Sequence, residues 1–294
     1  MQTGIASNAY FGLRDFSPGM ARMRRHGYSC ADYQDLMNPG NDLFRCAEPE
    51  FERWLREIRA AAEEEGIRIH QTHIPWSGDP CDNESLLRVR YEQSFKAVRG
   101  TAYIGSEYIA AHPIMPFGFA REQDAARFME INRVFFDKLC TDAKDYGVTV
   151  CLENMPFPMH PMYLPAHILA FVKELDRDNL RVCLDTGHSV LYENPADAVR
   201  LIGKDWLAIL HVHDNNGRSD YHTLPFTGVV KWDEFADALG GIGFDGVLSL
   251  ETSISGHYPP ELREYNEIGL ADAARWIADR AEQARAALTP QINA

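Results

Sequence analysis

Glu153 ends the run VTVCLE, Asp185 ends LRVCLD with His188 three residues on, His211 ends LAILH, and Glu251 ends GVLSLE. Carboxylate oxygens joined by an imidazole suit a divalent ion such as Mn²⁺, Mg²⁺, Co²⁺ or Zn²⁺, and leave positions open for a substrate. Each run is roughly four to eight apolar residues rich in β-branched types, which reads as a strand. In a parallel α/β barrel the carboxyl ends of all strands face one mouth, where active sites form. The four runs would then deliver Glu, Asp, His and Glu to one place.

The pattern widens when the other strand ends are added. His73 follows a third run, His112 a fourth, and Asp220 and His222 lie in the segment after His211. Carboxylates crowded at one mouth repel one another unless a cation neutralises them. A metal site explains the crowding; a purely structural barrel does not. His211 and His213 share one face of their strand because side chains alternate with period two. Either could be the ligand on spacing alone. Arg218 could bind a hydroxyl or phosphate, or be a solvated loop arginine. Tyr10, Phe11, Trp76, Phe157 and Phe226 fall near the expected mouth, where rings could pack on the C–H face of a sugar; core packing explains most aromatic residues equally well. His160, His167 and His257 read as loop or surface residues.

The elements that must position these groups alternate regularly. Strands are expected at 4–10, 28–34, 67–74, 107–113, 148–154, 180–186, 207–214 and 246–251. Helices are expected after each: SPGMARMRRHG with Ser17 as cap and Pro18 in its first turn, 50–65 closed by Gly66, 83–100, 121–146, 165–176, 195–204, 231–243 and 260–287. Eight strands alternating with eight helical segments predict parallel strands joined by helical crossovers. The fold class is α/β, a single (β/α)₈ TIM barrel over residues 1–294, with no linker or low-complexity tract. Segments 75–84 and 214–230 are long loops expected over the mouth.

Bulk composition narrows the partners. The chain has 294 residues, 45% hydrophobic and 24% charged, as a globular protein has. The formal charge of −14 disfavours polyanions, so neither nucleic acid nor an anionic membrane is an expected partner. No stretch of about 18 apolar residues suggests a membrane span. The first residues, MQTGIASNAYF, lack the basic start and apolar core of a signal peptide. Six cysteines without CxxC pairing fit a reducing cytoplasm, and Cys151 and Cys183 read as small core residues. A homo-oligomer is left open.

The strings CLENMPF, CLDTGHS, HVHDNNGRSDYHTLPFTG and FDGVLSLE resemble the xylose isomerase-like TIM-barrel superfamily. That group contains sugar phosphate isomerases and epimerases, ketose 3-epimerases, inosose dehydratases and the endonuclease IV family. The resemblance covers essentially the whole chain and is specific from about 148 to 252. It implies that Glu153, Asp185, His211 and Glu251 bind one divalent metal, and that Glu153 and Glu251 are the catalytic pair moving protons on opposite faces of a sugar. It places His213 behind the ligands or against substrate, and His188 on substrate or a further zinc.

Two activities follow from such a site. The first is a metal-dependent sugar isomerase or epimerase, in which the metal stabilises an enediolate and a glutamate takes the proton beside the carbonyl. The partner is then a small sugar or sugar-like polyol, and a dehydratase acting on a cyclic polyol is a variant. The second is a zinc phosphodiesterase like endonuclease IV with up to three Zn²⁺, for which His73, His112, His188, Asp220 and His222 complete the ligand types. Acidic charge counts against it, as do loops FGLRDFSPG and DLMNPGNDLF, which carry little basic character. One departure concerns the ketose 3-epimerases, which usually carry a further glutamate where this chain has Met159.

Overall fold

The computed structural model describes residues 1–252 and 258–288. Eight strands all run parallel: β1 Gln2–Ala6, β2 Cys30–Tyr33, β3 Arg68–His73, β4 Tyr108–Ala111, β5 Thr149–Glu153, β6 Leu180–Asp185, β7 Leu207–His211 and β8 Val247–Leu250. Their order is β7-β6-β5-β4-β3-β2-β1-β8. The two ends meet just beyond β7. Val212 bridges Leu250, with Val212 N–H donating to the Ser249 carbonyl at 2.9 Å and Glu251 N–H to the Val212 carbonyl at 3.0 Å. This closes the (β/α)₈ barrel.

The helices are α1 Phe16–His26, α2 Asp42–Arg45, α3 Glu48–Glu64, α4 Glu84–Tyr103, α5 Ala125–Lys144, α6 Pro165–Leu175, α7 Thr186–Val190, α8 Pro195–Ile202, α9 Trp232–Ile242 and α10 Pro260–Leu288. Asn83, Asp124 and Asn194 cap α4, α5 and α8 by accepting from Leu86, Arg127 and Ala196 N–H. Such caps satisfy donors that the first helical turn leaves free.

Period two explains how the strands aim their ends. Val150 and Leu152 of β5, Val182 and Leu184 of β6 and Leu248 and Leu250 of β8 join the large core between strands and helices. Their alternates face inward. Ala110, Cys151, Cys183 and Ile209 form a separate small cluster in the barrel centre. Continuing each alternation to the strand end puts His112, Glu153, Asp185 and His211 directly above that cluster. All six cysteines are free, and both central ones are buried as expected.

Several boundaries differ from the sequence expectation. The first strand stops at Ala6, because Ser7–Ala9 turns as a short 3₁₀ segment and leaves the barrel wall. Helix α1 begins at Phe16, so Ser17 lies inside it and is not its cap; Asp15 holds that position without a side-chain bond. Strand β7 ends at His211, where the backbone turns to pair with β8. Helices α2 and α7 were not foreseen. No described helix is long and apolar enough to cross a membrane.

Candidate metal centre

The inner group lies on the barrel axis. Ligand atoms of Glu153, Asp185, His211 and Glu251 all fall within 4.8 Å of one another. His211 Nδ1 is 3.1 Å from Glu153 Oε1 and 3.5 Å from Glu251 Oε2. Glu153, Asp185 and His211 are fully buried, whereas the Glu251 side chain keeps 14% of its exposure. Glu153 Oε1 and both ring nitrogens of His211 have no hydrogen bond among the described residues. A buried polar atom without a partner costs about 1–3 kcal/mol. A divalent cation among these four donors would remove that cost, so the residues fit one.

Residues behind the group orient it. His211 Nε2 lies 3.2 Å from Asp32 Oδ2, at the end of β2. Asp32 in turn accepts from the amides of Gln34 at 2.8 Å and Gln71 at 3.3 Å. Asp32 thus faces Nε2 while Nδ1 points toward the acids, the position a carboxylate takes behind a metal-binding histidine. Asn154 clamps the backbone of Asp185 twice, accepting its N–H at 2.9 Å and donating to its carbonyl at 3.0 Å. Asp185 Oδ1 also accepts the His188 N–H at 2.6 Å, so the same carboxylate caps α7.

The electrostatics separate the two glutamates. Burial opposes ionisation of Glu153, but the imidazoles of His211 and His112 outweigh it and hold the carboxyl well below its usual range. Burial raises Glu251, and His211 and His222 offset this only in part.

Two more donor groups adjoin the first. His73 Nε2 and His112 Nε2 lie 3.3 and 3.1 Å from Glu153 Oε2. His188 Nε2 and His222 Nε2 each lie 3.2 Å from Asp220 Oδ2. A shared feature fixes three of these rings. Nδ1 of His73, His188 and His222 contacts the carbonyls of Ile74 at 2.6 Å, Asn154 at 2.8 Å and Glu251 at 2.9 Å. A carbonyl only accepts, so Nδ1 carries the proton and Nε2 is the atom offered to a cation. His213 belongs to this last donor group, yet its Nε2 lies 2.9 Å from Asp185 Oδ2. That contact sets its ring against Asp185. Gly187 lets the ring approach: a Cβ there would lie 1.9 Å from His213 Cε1.

Other candidates separate. Arg218 is exposed and lines no cavity of the mouth. Trp76 and Phe157 line the cleft above the donors, but Tyr10 and Phe11 are buried, and Phe226 packs on Trp232 and Trp276 instead. His160 lies in the loop before α6, as expected, but is buried beside Gln123 and Phe128, and His167 lies half-buried in α6, which corrects its reading as a loop or surface residue. His257 lies outside the described residues.

One residue that spacing alone did not single out organises the loop carrying Asp220 and His222. Fully buried Asp214 accepts from Asn215, Val229 and Val230 N–H on Oδ1 and from Gly228 N–H and Trp232 Nε1 on Oδ2, at 2.9–3.1 Å. Gly228 is required for this approach, since a Cβ would lie 2.3 Å from Asp214 Oδ1. The loop holds His222 at φ +48° and Phe226 at φ +71°, a conformation costing about 1–2 kcal/mol per residue. The five bonds offset that strain. Asp214→Ala is expected to lower stability by at least about 3 kcal/mol in urea unfolding, and to open 215–228 to proteolysis below the global midpoint. An unchanged midpoint would show that the loop holds itself.

A cleft of about 540 Å³ opens above the donors. His112, His188, Asp220, His222 and Glu251 line its base.

Comparison with known proteins agrees with the barrel fold. Residues 20–280 match the family model described as a xylose isomerase-like TIM barrel. An uncharacterized protein of Methanocaldococcus jannaschii is 31% identical over 259 residues, 85% of this chain and 83% of that protein. The D-psicose 3-epimerase of Ruminiclostridium cellulolyticum is 32% identical over 212 residues, 67% of each chain. A crystal structure of D-psicose 3-epimerase in the presence of D-fructose superposes with TM-score 0.76 at 19% identity, covering 94% of this chain and 99% of that one.

Proposed function

The chain belongs to the xylose isomerase-like TIM-barrel family, and from that premise we propose that it is a divalent-metal-dependent sugar isomerase or epimerase. The observation that carries this reading is the placement of the two glutamates. Glu153 from β5 and Glu251 after β8 converge on His211 Nδ1 from different strands, Glu153 fully buried and Glu251 at the base of the cleft. Glu153, Asp185, His211 and Glu251 would hold the cation. Bound there, a divalent cation supplies Lewis-acid stabilisation for negative charge developing on a substrate oxygen.

The chain's own groups do the rest. Glu153 or Glu251 takes a proton from the carbon beside the sugar carbonyl, and the other carboxyl exchanges one from its own side. Exchange on a single carbon gives epimerisation; return to the neighbouring carbon gives isomerisation. His112, His188 and His222 present N–H or lone-pair sites to sugar hydroxyls at the cleft base. The epimerase relatives support the sugar class.

The test is incubation of metal-reconstituted protein with ketoses, aldoses and cyclic polyols in D₂O, followed by mass analysis. The expected result is a product with deuterium on carbon. Loss of water from a polyol would indicate the dehydratase variant, and no turnover of any sugar would sink the proposal.

The second reading, a zinc phosphodiesterase, draws on one observation: three contiguous donor groups can take up to three Zn²⁺. Against it stands the formal charge of −14, since duplex binding depends on neutralising phosphates. Abasic duplex DNA is expected to remain uncut. Chelator-sensitive incision at the abasic site would promote this reading over the first.

A further inference from the structure

Helix α10 has an apolar face that its own barrel does not cover. Its inner side, with Leu270, Ala274, Ile277 and Ala281, is buried against β1, β8 and α9. A surface helix keeps charged and polar residues on the opposite side. On α10 that side carries Tyr265 at 74% exposure, with Leu262, Ile268 and Trp276 at 47%, 41% and 45%. Leu262, Gly269 and Trp276 follow one another at two-turn spacing and form one row, with Tyr265 and Ile268 beside it. Phe226 extends the row, its exposed ring 5.1 Å from Trp276 and perpendicular to it. Phe226 belongs to the loop that carries Asp220 and His222, so the face reaches the rim of the site. A contiguous apolar patch of this kind marks a contact surface.

Gly269 is the second observation. Glycine inside a helix costs stability relative to alanine, and close approach of another group is a reason to keep it. No such group lies within the chain: a Cβ on Gly269 would have nothing within 4 Å among the described residues. The missing side chain therefore leaves room for an approach from outside. Gly269 is also the midpoint of the row, as far from Leu262 as from Trp276. A row with this symmetry can be its own complement under a two-fold rotation.

We infer that a second copy of this chain docks on α10, the two helices antiparallel and the two-fold axis at Gly269. Trp276 then covers the partner's Leu262, and Tyr265 faces the small side chain of the partner's Ala273. Charge agrees with this arrangement. Glu261, beside Leu262, has no ion partner among the described residues. Arg280 lies one turn beyond Trp276, with its guanidinium carbon 5.8 Å from that ring centroid. The two-fold brings Glu261 within reach of the partner's Arg280, and symmetry makes the contact twice.

The experiment is light scattering after size exclusion at micromolar concentration, where the parent chain is expected at twice its 33.3 kDa mass. Gly269→Arg and Tyr265→Glu are each expected to weaken self-association by at least about 30-fold. Both positions are exposed, so circular dichroism should show the helix content of the parent. Orientation is tested with a mild thiol oxidant. Gly269→Cys is expected to cross-link to its own copy on the axis. Leu262→Cys is expected to stay uncross-linked, because antiparallel docking sets its two copies about 21 Å apart. A monomeric parent would overturn the inference, whether the face is bare or covered by the chain's own residues 253–257 or 289–294. So would a dimer untouched by Gly269→Arg and Tyr265→Glu, or one that cross-links through Leu262→Cys as readily as through Gly269→Cys.

Discussion

Glu153→Gln and Glu251→Gln are each expected to lower turnover by roughly 10²- to 10⁴-fold, the range of a lost general acid or base. Glutamine keeps a carbonyl oxygen for a cation but has no carboxylate to take a proton. The two variants should differ in kind. Glu153 also faces His73 and His112 through Oε2 and His211 through Oε1, so its loss disturbs two donor groups together. Glu251 lies at the cleft base and faces His211 and His222 at the longer distances of 3.5 and 3.6 Å. The Glu251 variant should therefore keep more metal while losing proton transfer on one face. Solvent exchange from the opposite face, measured by deuterium wash-in without net conversion, should survive in one variant and vanish in the other. Full turnover in both would end the acid–base assignment.

What was legible in the sequence is what repeats. Each of VTVCLE, LRVCLD, LAILH and GVLSLE is an apolar run stopped by a ligand type, and period two then aims every last residue inward. Eight strand-like runs separated by helical segments define a barrel. What was hidden depends on contacts between distant segments. Asp32 sits in YSCADYQ like any strand residue, and only the barrel brings His211 to 3.2 Å from it. Asp214 follows the histidine pair and reads as the tail of its strand, although its partners lie up to 18 residues further on at Trp232. Helix α7 is only five residues long and is capped by Asp185 itself, so no periodic pattern announces it. Tyr10 and Phe226 were placed near the mouth by proximity in sequence. Tyr10 lines a cavity that adjoins the cleft at Asn8 while hydrogen-bonding His26, and Phe226 instead covers Trp276 on α10.

Asp185→Asn and His211→Ala are expected to strip the inner metal, each by removing one bond from a set of four. The barrel should remain folded, because its apolar layers lie between strands and helices and not at the mouth. A graded series tests the geometry more finely. Asp32 touches no metal in this scheme and acts through His211, so Asp32→Asn is expected to weaken affinity by about 10- to 100-fold, less than loss of a ligand. Asp220→Asn lies outside the inner set and should leave that ion in place. The measurement is equilibrium dialysis of chelator-treated protein against Mn²⁺, Co²⁺ and Zn²⁺, with metal counted per chain. One tight ion, lost in Asp185→Asn and His211→Ala but kept in Asp220→Asn, supports the sugar isomerase. Three Zn²⁺, of which Asp220→Asn removes one, would mean that all three donor groups are filled and would favour the phosphodiesterase. Equal retention in Asp185→Asn, His211→Ala and the parent chain would refute the ligand set itself, since two of its four bonds would then carry no binding energy.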